Sequence, residues 1–255
     1  MRPLRHDRFL SRGPHIELVV SQVDVASRIV HLWWLDLDEL ARSRKLLTEH
    51  LSPDERLRAE RSSGGVTGSR FALGRGGLRE IVGLYCGVQP VHVEFVYGPS
   101  GKPGLVGVSG ADLPTFNVSY AGRLMVIAVG TGGELGIDVE LLTRHADITP
   151  IADAVFSQGE LNMLATMPTR KREKAMVRGW TGKEAILKAD GRGLVTHLAT
   201  INVLNGADYS GLRAAWQLHA VPVPVSGYVA SLAVPAHPTP LKEERDERGQ
   251  TTWIA

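Results

Sequence analysis

Leu135, Ile137 and Val139 alternate with Gly136, Asp138 and Glu140. A strict two-residue period fits a β-strand and not a helix. Side chains two apart on a strand share a face, so Asp138 and Glu140 are expected to project together while the apolar residues face the core. Two neighbouring carboxylates repel unless a proton or a cation neutralises them. A hard cation such as magnesium suits the task, because it takes oxygen ligands and commonly uses one or two carboxylates together with substrate phosphates. Taken alone, the same pattern also describes a strand end with both acids in water.

A second segment changes the weighing. Good helix formers run from about Arg170 to Lys188, with apolar residues at Met176, Val177, Trp180, Ala185, Ile186 and Leu187 and a stop signal at Gly191. On this helix Trp180, Glu184 and Lys188 are spaced i, i+4, i+8 and share one face. By itself that face holds a core tryptophan and a surface ion pair worth about 0.3–0.5 kcal/mol. Beside the first segment, Glu184 becomes a third metal-facing carboxylate and Lys188 a donor to a phosphate oxygen.

These residues resemble a known family. Gly136-Ile137-Asp138-Val139-Glu140 and Trp180-x-x-Lys183-Glu184-Ala185-x-x-Lys188, followed by Gly191-x-Gly193-Leu194, are similar to the signatures of 4′-phosphopantetheinyl transferases of the larger, monomeric (Sfp-type) class. Three upstream stretches agree in order: Ser52-Pro53-Asp54-Glu55-Arg56 leading to Arg70, then Gly101-Lys102-Pro103, then Phe116-Asn117-Val118-Ser119-Tyr120-Ala121-Gly122. The resemblance implies an α+β fold of two similar halves related by a pseudo-twofold axis, with the active site in the cleft between them. It implies coenzyme A as donor and a serine of an acyl or peptidyl carrier protein as acceptor, with adenosine 3′,5′-bisphosphate leaving. It further implies that Asp138, Glu140 and Glu184 hold magnesium (or manganese) and that Lys188 neutralises a phosphate oxygen. Glu184, or a water on the metal, is then the candidate general base. Asn117 and Ser119 would line the coenzyme pocket, Gly101-Lys102-Pro103 would form its adenine-side loop, and Arg70, with Arg58 behind it, would grip the 3′-phosphate. Two departures stand out. Tyr120 replaces the family's usual histidine and brings a hydrogen-bond donor without a charge. Ser62 to Gly68 reads as a flexible loop where the family is more charged. Tyr120 keeps one alternative open, a non-catalytic coenzyme A or nucleotide-binding module.

Composition sets outer bounds. The chain has 255 residues, 43% hydrophobic and 22% charged, which is ordinary for a globular protein with a sizeable core. A net charge of +2 argues against a dedicated nucleic-acid binder, and no run has the length of a membrane helix. Residues 170–192 nevertheless hold eight Lys or Arg against three acids, a local field suited to phosphates and acidic carrier proteins. The single cysteine, Cys86, excludes an internal disulfide and fits a reducing, cytoplasmic setting; it reads as a buried structural thiol. Met1 to His15 reads as a disordered basic tail without a secretory apolar core, 16–133 as an N-terminal half, 134–235 as a C-terminal half with the metal site, and 236–255 as a peripheral tail. Strands are expected at Ile29–Leu35, Val91–Val96, Leu124–Val129, Ala199–Val203, Ala214–Ala220 and Gly227–Val234. Helices are expected at Leu37–Leu47, Pro53–Arg61, Arg70–Gly83 and Ile151–Leu164.

Overall fold

Short apolar runs pair into two antiparallel sheets, and the two longest helices cover them. The computed structural model describes residues 19–25, 28–61, 66–106, 113–131, 133–191, 198–204, 216–236, 242–245 and 251–254. Strands β1 (Val19–Val25) and β2 (Arg28–Asp36) lead through a 3₁₀ turn (Glu39–Ser43) into helices α1 (Arg44–Glu49), α2 (Pro53–Arg61) and α3 (Val66–Cys86). A small hairpin, β3 (Phe95–Tyr97) and β4 (Pro103–Leu105), precedes a longer one, β5 (Thr115–Ala121) and β6 (Leu124–Gly130). After β7 (Gly136–Leu141) come the single turns α4 (His145–Ile148) and α5 (Ala152–Val155), then α6 (Gln158–Ala165) and α7 (Thr169–Asp190). Strands β8 (Trp216–Val221) and β9 (Tyr228–Pro235) and the hairpin β10 (Lys242–Arg245), β11 (Thr251–Ile254) follow.

The first sheet runs β1-β2-β6-β5 and the second β7-β9-β8, antiparallel throughout. Helix α3 covers the outer face of the first, packing Leu73, Leu78, Ile81 and Val82 against Trp33, Leu35, Met125 and Ile127. Helix α7 covers the second, where Ala185, Leu187 and Ala189 meet Ala233. The inner faces share one core, with Leu32, Trp34, Val126 and Ala128 against Ile137, Val139, Leu232 and Val234. This is the expected α+β architecture. Where β5 meets β7, side chains replace a backbone ladder. Asn117 Oδ1 accepts from the Ile137 N–H at 3.0 Å and Ser119 Oγ from the Val139 N–H at 3.3 Å, so β7 is fixed to the first sheet in a single register.

Most elements fall where the sequence places them, and the departures have physical causes. Ser52 caps α2 as expected, through a reciprocal pair in which Ser52 N–H donates to Glu55 Oε2 and Glu55 N–H to Ser52 Oγ. The Leu37–Leu47 stretch opens as a 3₁₀ turn and becomes α-helical only at Arg44. Helix α3 starts four residues before Arg70, so Val66, Thr67 and Gly68 are helical, not looped; residues 62–65 lie outside the described residues. The Val91–Val96 strand is cut short, because Pro90 opens a 3₁₀ turn and buried Arg79 donates to the carbonyls of Pro90 and Val93. The helix expected over Ile151–Leu164 breaks at Phe156, whose backbone is extended and whose ring is buried. Ser157 then restarts it with a capping box to Glu160. No strand forms at Ala199–Val203, since the amides of Val203 and Leu204 donate to Glu160. The 236–255 segment, expected as a tail, contains the β10–β11 pair. Met1 to His15, Gly193 and Leu194 lie outside the described residues. Among those described, no helix is long and apolar enough to cross a membrane, and Cys86 is half-buried, with its thiol pushed up by that burial.

Candidate active site

Gly136 sets the site's geometry. A Cβ at this position would stand 2.1 Å from the Ala185 carbonyl oxygen and 2.4 Å from the Ala189 amide nitrogen, so only hydrogen lets β7 lie directly on α7. That contact brings the carboxylate face of β7 beside the Glu184–Lys188 face of α7. Helix α7 ends where predicted. Gly191 takes the left-handed conformation, φ 75°, and its N–H returns to the Leu187 carbonyl at 3.0 Å.

Two adjoining cavities result. One, of about 400 Å³, is lined by Val118, Ser119 and Tyr120 of β5, Asp138 and Glu140 of β7, and Trp180, Glu184 and Lys188 of α7. The other, of about 220 Å³, includes Gly101, Lys102, Pro103, Asn117, Glu184, Lys188 and Gly191. Val118, Glu184 and Lys188 belong to both, so the two form one groove with Lys188 at its middle. The Gly101 turn is pinned to the far half. Ser100 Oγ donates to the Gly191 carbonyl at 2.6 Å, and Lys102 Nζ meets Glu134 at 2.5 Å.

The carboxylates are not solvated. Asp138 is 4% exposed, contrary to a strand with one wet face, because α7 covers that face of β7. Its Oδ1 accepts from Lys188 Nζ at 2.7 Å and Ser119 Oγ at 2.8 Å, while its Oδ2 is buried with no hydrogen-bond partner. Lys188 therefore pairs with Asp138 and not with its helical neighbour Glu184. Burial pushes the Asp138 carboxyl up, against the pull of Lys188 and Ser119. Glu140 Oε1 accepts from Trp180 Nε1 at 3.2 Å and faces Arg144 Nε at 3.7 Å. Burial, then the Asp138 charge, pushes Glu140 up to about 7. The same two causes, in the same order, raise Glu184.

The donor set fits a hard cation. Three carboxylates border one cavity, a buried Asp138 oxygen lacks a partner, and the Asp138 charge raises the proton affinity of both Glu140 and Glu184. Among the described residues no three His, Cys, Asp or Glu side chains are clustered tightly enough to hold an ion by themselves. An open arrangement of this kind leaves coordination positions for substrate phosphates, the usual manner of magnesium.

The chain is 34% identical over 229 residues to the 4′-phosphopantetheinyl transferase HetI of Nostoc sp., a match covering 89% of this chain and 93% of that protein. The chain belongs to the 4′-phosphopantetheinyl transferase family. Residues 134–233 match the model of the 4′-phosphopantetheinyl transferase superfamily, a span holding Asp138, Glu140, Glu184 and Lys188. The 4′-phosphopantetheinyl transferase AcpT of Escherichia coli is 37% identical over 100 residues, 38% of this chain and 49% of that protein. AcpT of Salmonella typhimurium is 37% identical over 98 residues, 38% of this chain and 50% of that protein.

Against this family frame, the expected site residues divide. Asp138, Glu140, Glu184, Lys188, Ser119, Tyr120, Asn117, Gly101, Lys102 and Pro103 all line the groove. Asn117 and Ser119 also hold β7 in place. Arg70 and Arg58 line neither cavity. Arg70 donates to the Gly122 carbonyl at 2.8 Å and to Asp38 at 3.2 Å, and Arg58 stacks on Phe71 with its guanidinium carbon 4.6 Å from the ring centre. Arg144 escaped the sequence reading. It lies over the Trp180 ring at 5.6 Å and beside Glu140, and its only sequence signal is a basic residue four positions beyond Glu140. Ser100, next to the Gly101 loop, escaped as well.

Proposed function

We propose that the protein transfers the 4′-phosphopantetheine arm of coenzyme A to a serine hydroxyl of an acyl or peptidyl carrier protein, releasing adenosine 3′,5′-bisphosphate. The observation that carries this reading is the buried, partly unpartnered carboxylate face of β7 set against Glu184 and Lys188 in one groove. The serine oxygen attacks the phosphorus that bears the pantetheine arm, a new P–O bond forms, and the bond to the bridging pyrophosphate oxygen breaks. Asp138, Glu140 and Glu184 would hold magnesium or manganese, which supplies Lewis-acid neutralisation of the diphosphate. Lys188 Nζ, bonded to Ser119 and Asp138, donates to a phosphate oxygen and balances charge as the leaving group departs. Glu184, held on the rigid α7 with its proton affinity raised, accepts the serine proton. The Gly101–Pro103 turn and Asn117 wall the adenosine side. The positive first half of α7 (Arg170, Lys171, Arg172, Lys174) attracts an acidic carrier. We further place the protein with the monomeric, cytoplasmic members of its family.

The test is the mass of an apo carrier protein incubated with coenzyme A and magnesium. The wild type should add one phosphopantetheine arm. Asp138→Ala and Glu184→Ala should leave the carrier unmodified while keeping the wild-type circular dichroism, and excess EDTA should stop the wild type. Full transfer by either variant, or in EDTA, refutes these roles. An inactive wild type that still binds coenzyme A would favour a non-catalytic module.

A further inference from the structure

Helix α7 walls more than the groove. Its Trp180, Glu184 and Lys188 face the carboxylate cavity, whereas Lys174 and Arg178 border a separate cavity of about 560 Å³ against β8 and β9. That cavity shares no lining residue with the groove. Its volume lies within the range of small-molecule sites.

The walls are mostly aliphatic. Two glycines of α7 help to build them. A Cβ on Gly179 would meet Leu204 Cδ1 at 3.3 Å, and one on Gly182 would meet Leu218 Cδ2 at 2.8 Å, so both leucines lie directly on the helix. Val221, Val223 and Val229 extend the apolar lining. Ala220, two residues from Leu218 on β8, faces the same side of the strand and also lines the cavity. Tyr228 is the one ring among the lining residues, which leaves little for a planar ligand to stack on.

The charge at the edge has one sign. Lys174 and Arg178 are exposed and stand four residues apart on α7, a spacing at which like charges repel. Among the described residues no acid lines this cavity, and neither cationic side chain makes an ion pair or a hydrogen bond. An aliphatic hollow with an unmatched positive edge is complementary to a molecule with an apolar body and one anionic end.

We propose that this cavity binds a free acyl anion, an aliphatic chain ending in a carboxylate. The chain lies against Leu204, Leu218 and the valines of the β8–β9 side, and the carboxylate sits at Lys174 and Arg178. Arg178 suits a carboxylate through its paired N–H groups, and Lys174 adds a point charge. The assignment does not depend on the donor or the acceptor used in the groove.

Calorimetric titration with dodecanoate, kept below its micelle concentration, should give one site per chain. Acetate, the head without the chain, and dodecyltrimethylammonium, the chain with the opposite charge, should each bind about tenfold more weakly or worse. Arg178→Glu should weaken dodecanoate by about 10- to 100-fold. Ala220→Trp, which fills the space of the chain, should do the same while the circular dichroism stays that of the wild type. If Ala220→Trp is damaged in folding, Arg178→Glu, on an exposed helix face, decides. Dodecanoate that does not bind, that binds in many copies per chain or that ignores Arg178→Glu overturns the assignment, as does equal binding of the alkylammonium. A wild type that binds no dodecanoate, with an Ala220→Trp variant that transfers more slowly to the carrier, would make this surface a protein-docking face and overturn it equally.

Discussion

Glu140 carries the clearest mark of the crowded carboxylates. Its carboxyl is raised to about 7, first by burial and then by Asp138. The folded chain therefore binds this proton more tightly than the unfolded chain, whose carboxyl sits near the ordinary 4.5. Stability then falls as pH rises through that window, since the native state holds more protons than the unfolded one. The raised Asp138 and Glu184 carboxyls act in the same direction. A divalent cation removes the repulsion only when the carboxylates are ionised. Saturating magnesium should therefore raise the melting temperature by about 5 °C at pH 8 and hardly at all at pH 5, and Glu140→Gln should shrink the pH 8 gain. An equal gain at both pH values would show that magnesium binds elsewhere. The four charged residues of this site were legible because two periods, two and 3.6, place them on single faces. Arg144 was not, because it is defined by partners on two other elements, Glu140 on β7 and Trp180 on α7.

At the scale of elements, the β7–α7 contact decides whether the faces meet. Gly136→Ala forces a methyl into the Ala185 carbonyl and the Ala189 amide, backbone atoms that cannot rotate away. Overpacking of this kind should cost about 3 kcal/mol, read as a lower urea midpoint, and transfer should fall even in the folded fraction because Asp138 moves away from Lys188. Unchanged stability would mean that β7 slides freely on α7. Strands β2, β6 and β9 were readable as short apolar runs, because both of their faces are buried. The misread segments share a different cause. Lys183 and Glu160, both 0% exposed and 2.5 Å apart, gather the Val155 and Leu198 carbonyls and the Val203 and Leu204 amides. That buried pair takes backbone groups that a strand at 199–203 would have used. Arg79 does the same to the segment after Pro90. A side chain that satisfies backbone from a distance leaves no periodic trace.

At the scale of the molecule, the residues before and after position 133 are joined by more than the chain between them. The inner faces of both sheets form one apolar cluster, β7 takes hydrogen bonds from Asn117 and Ser119, and Ser100 and Lys102 reach across to Gly191 and Glu134. Neither half can bury its inner sheet face without the other, and the groove exists only where they join. Equilibrium unfolding should therefore show one transition, with tryptophan fluorescence and far-ultraviolet circular dichroism coincident. Asn117→Ala strands the Ile137 amide in a buried position and should lower the midpoint of that single transition by about 1–3 kcal/mol without splitting it. Two separated transitions, or a fragment of residues 134–235 that folds alone, would mean that the shared core is dispensable. The site would then be assembled by docking of two preformed halves, and its three carboxylates would move relative to Tyr120 and the Gly101 turn each time the halves parted.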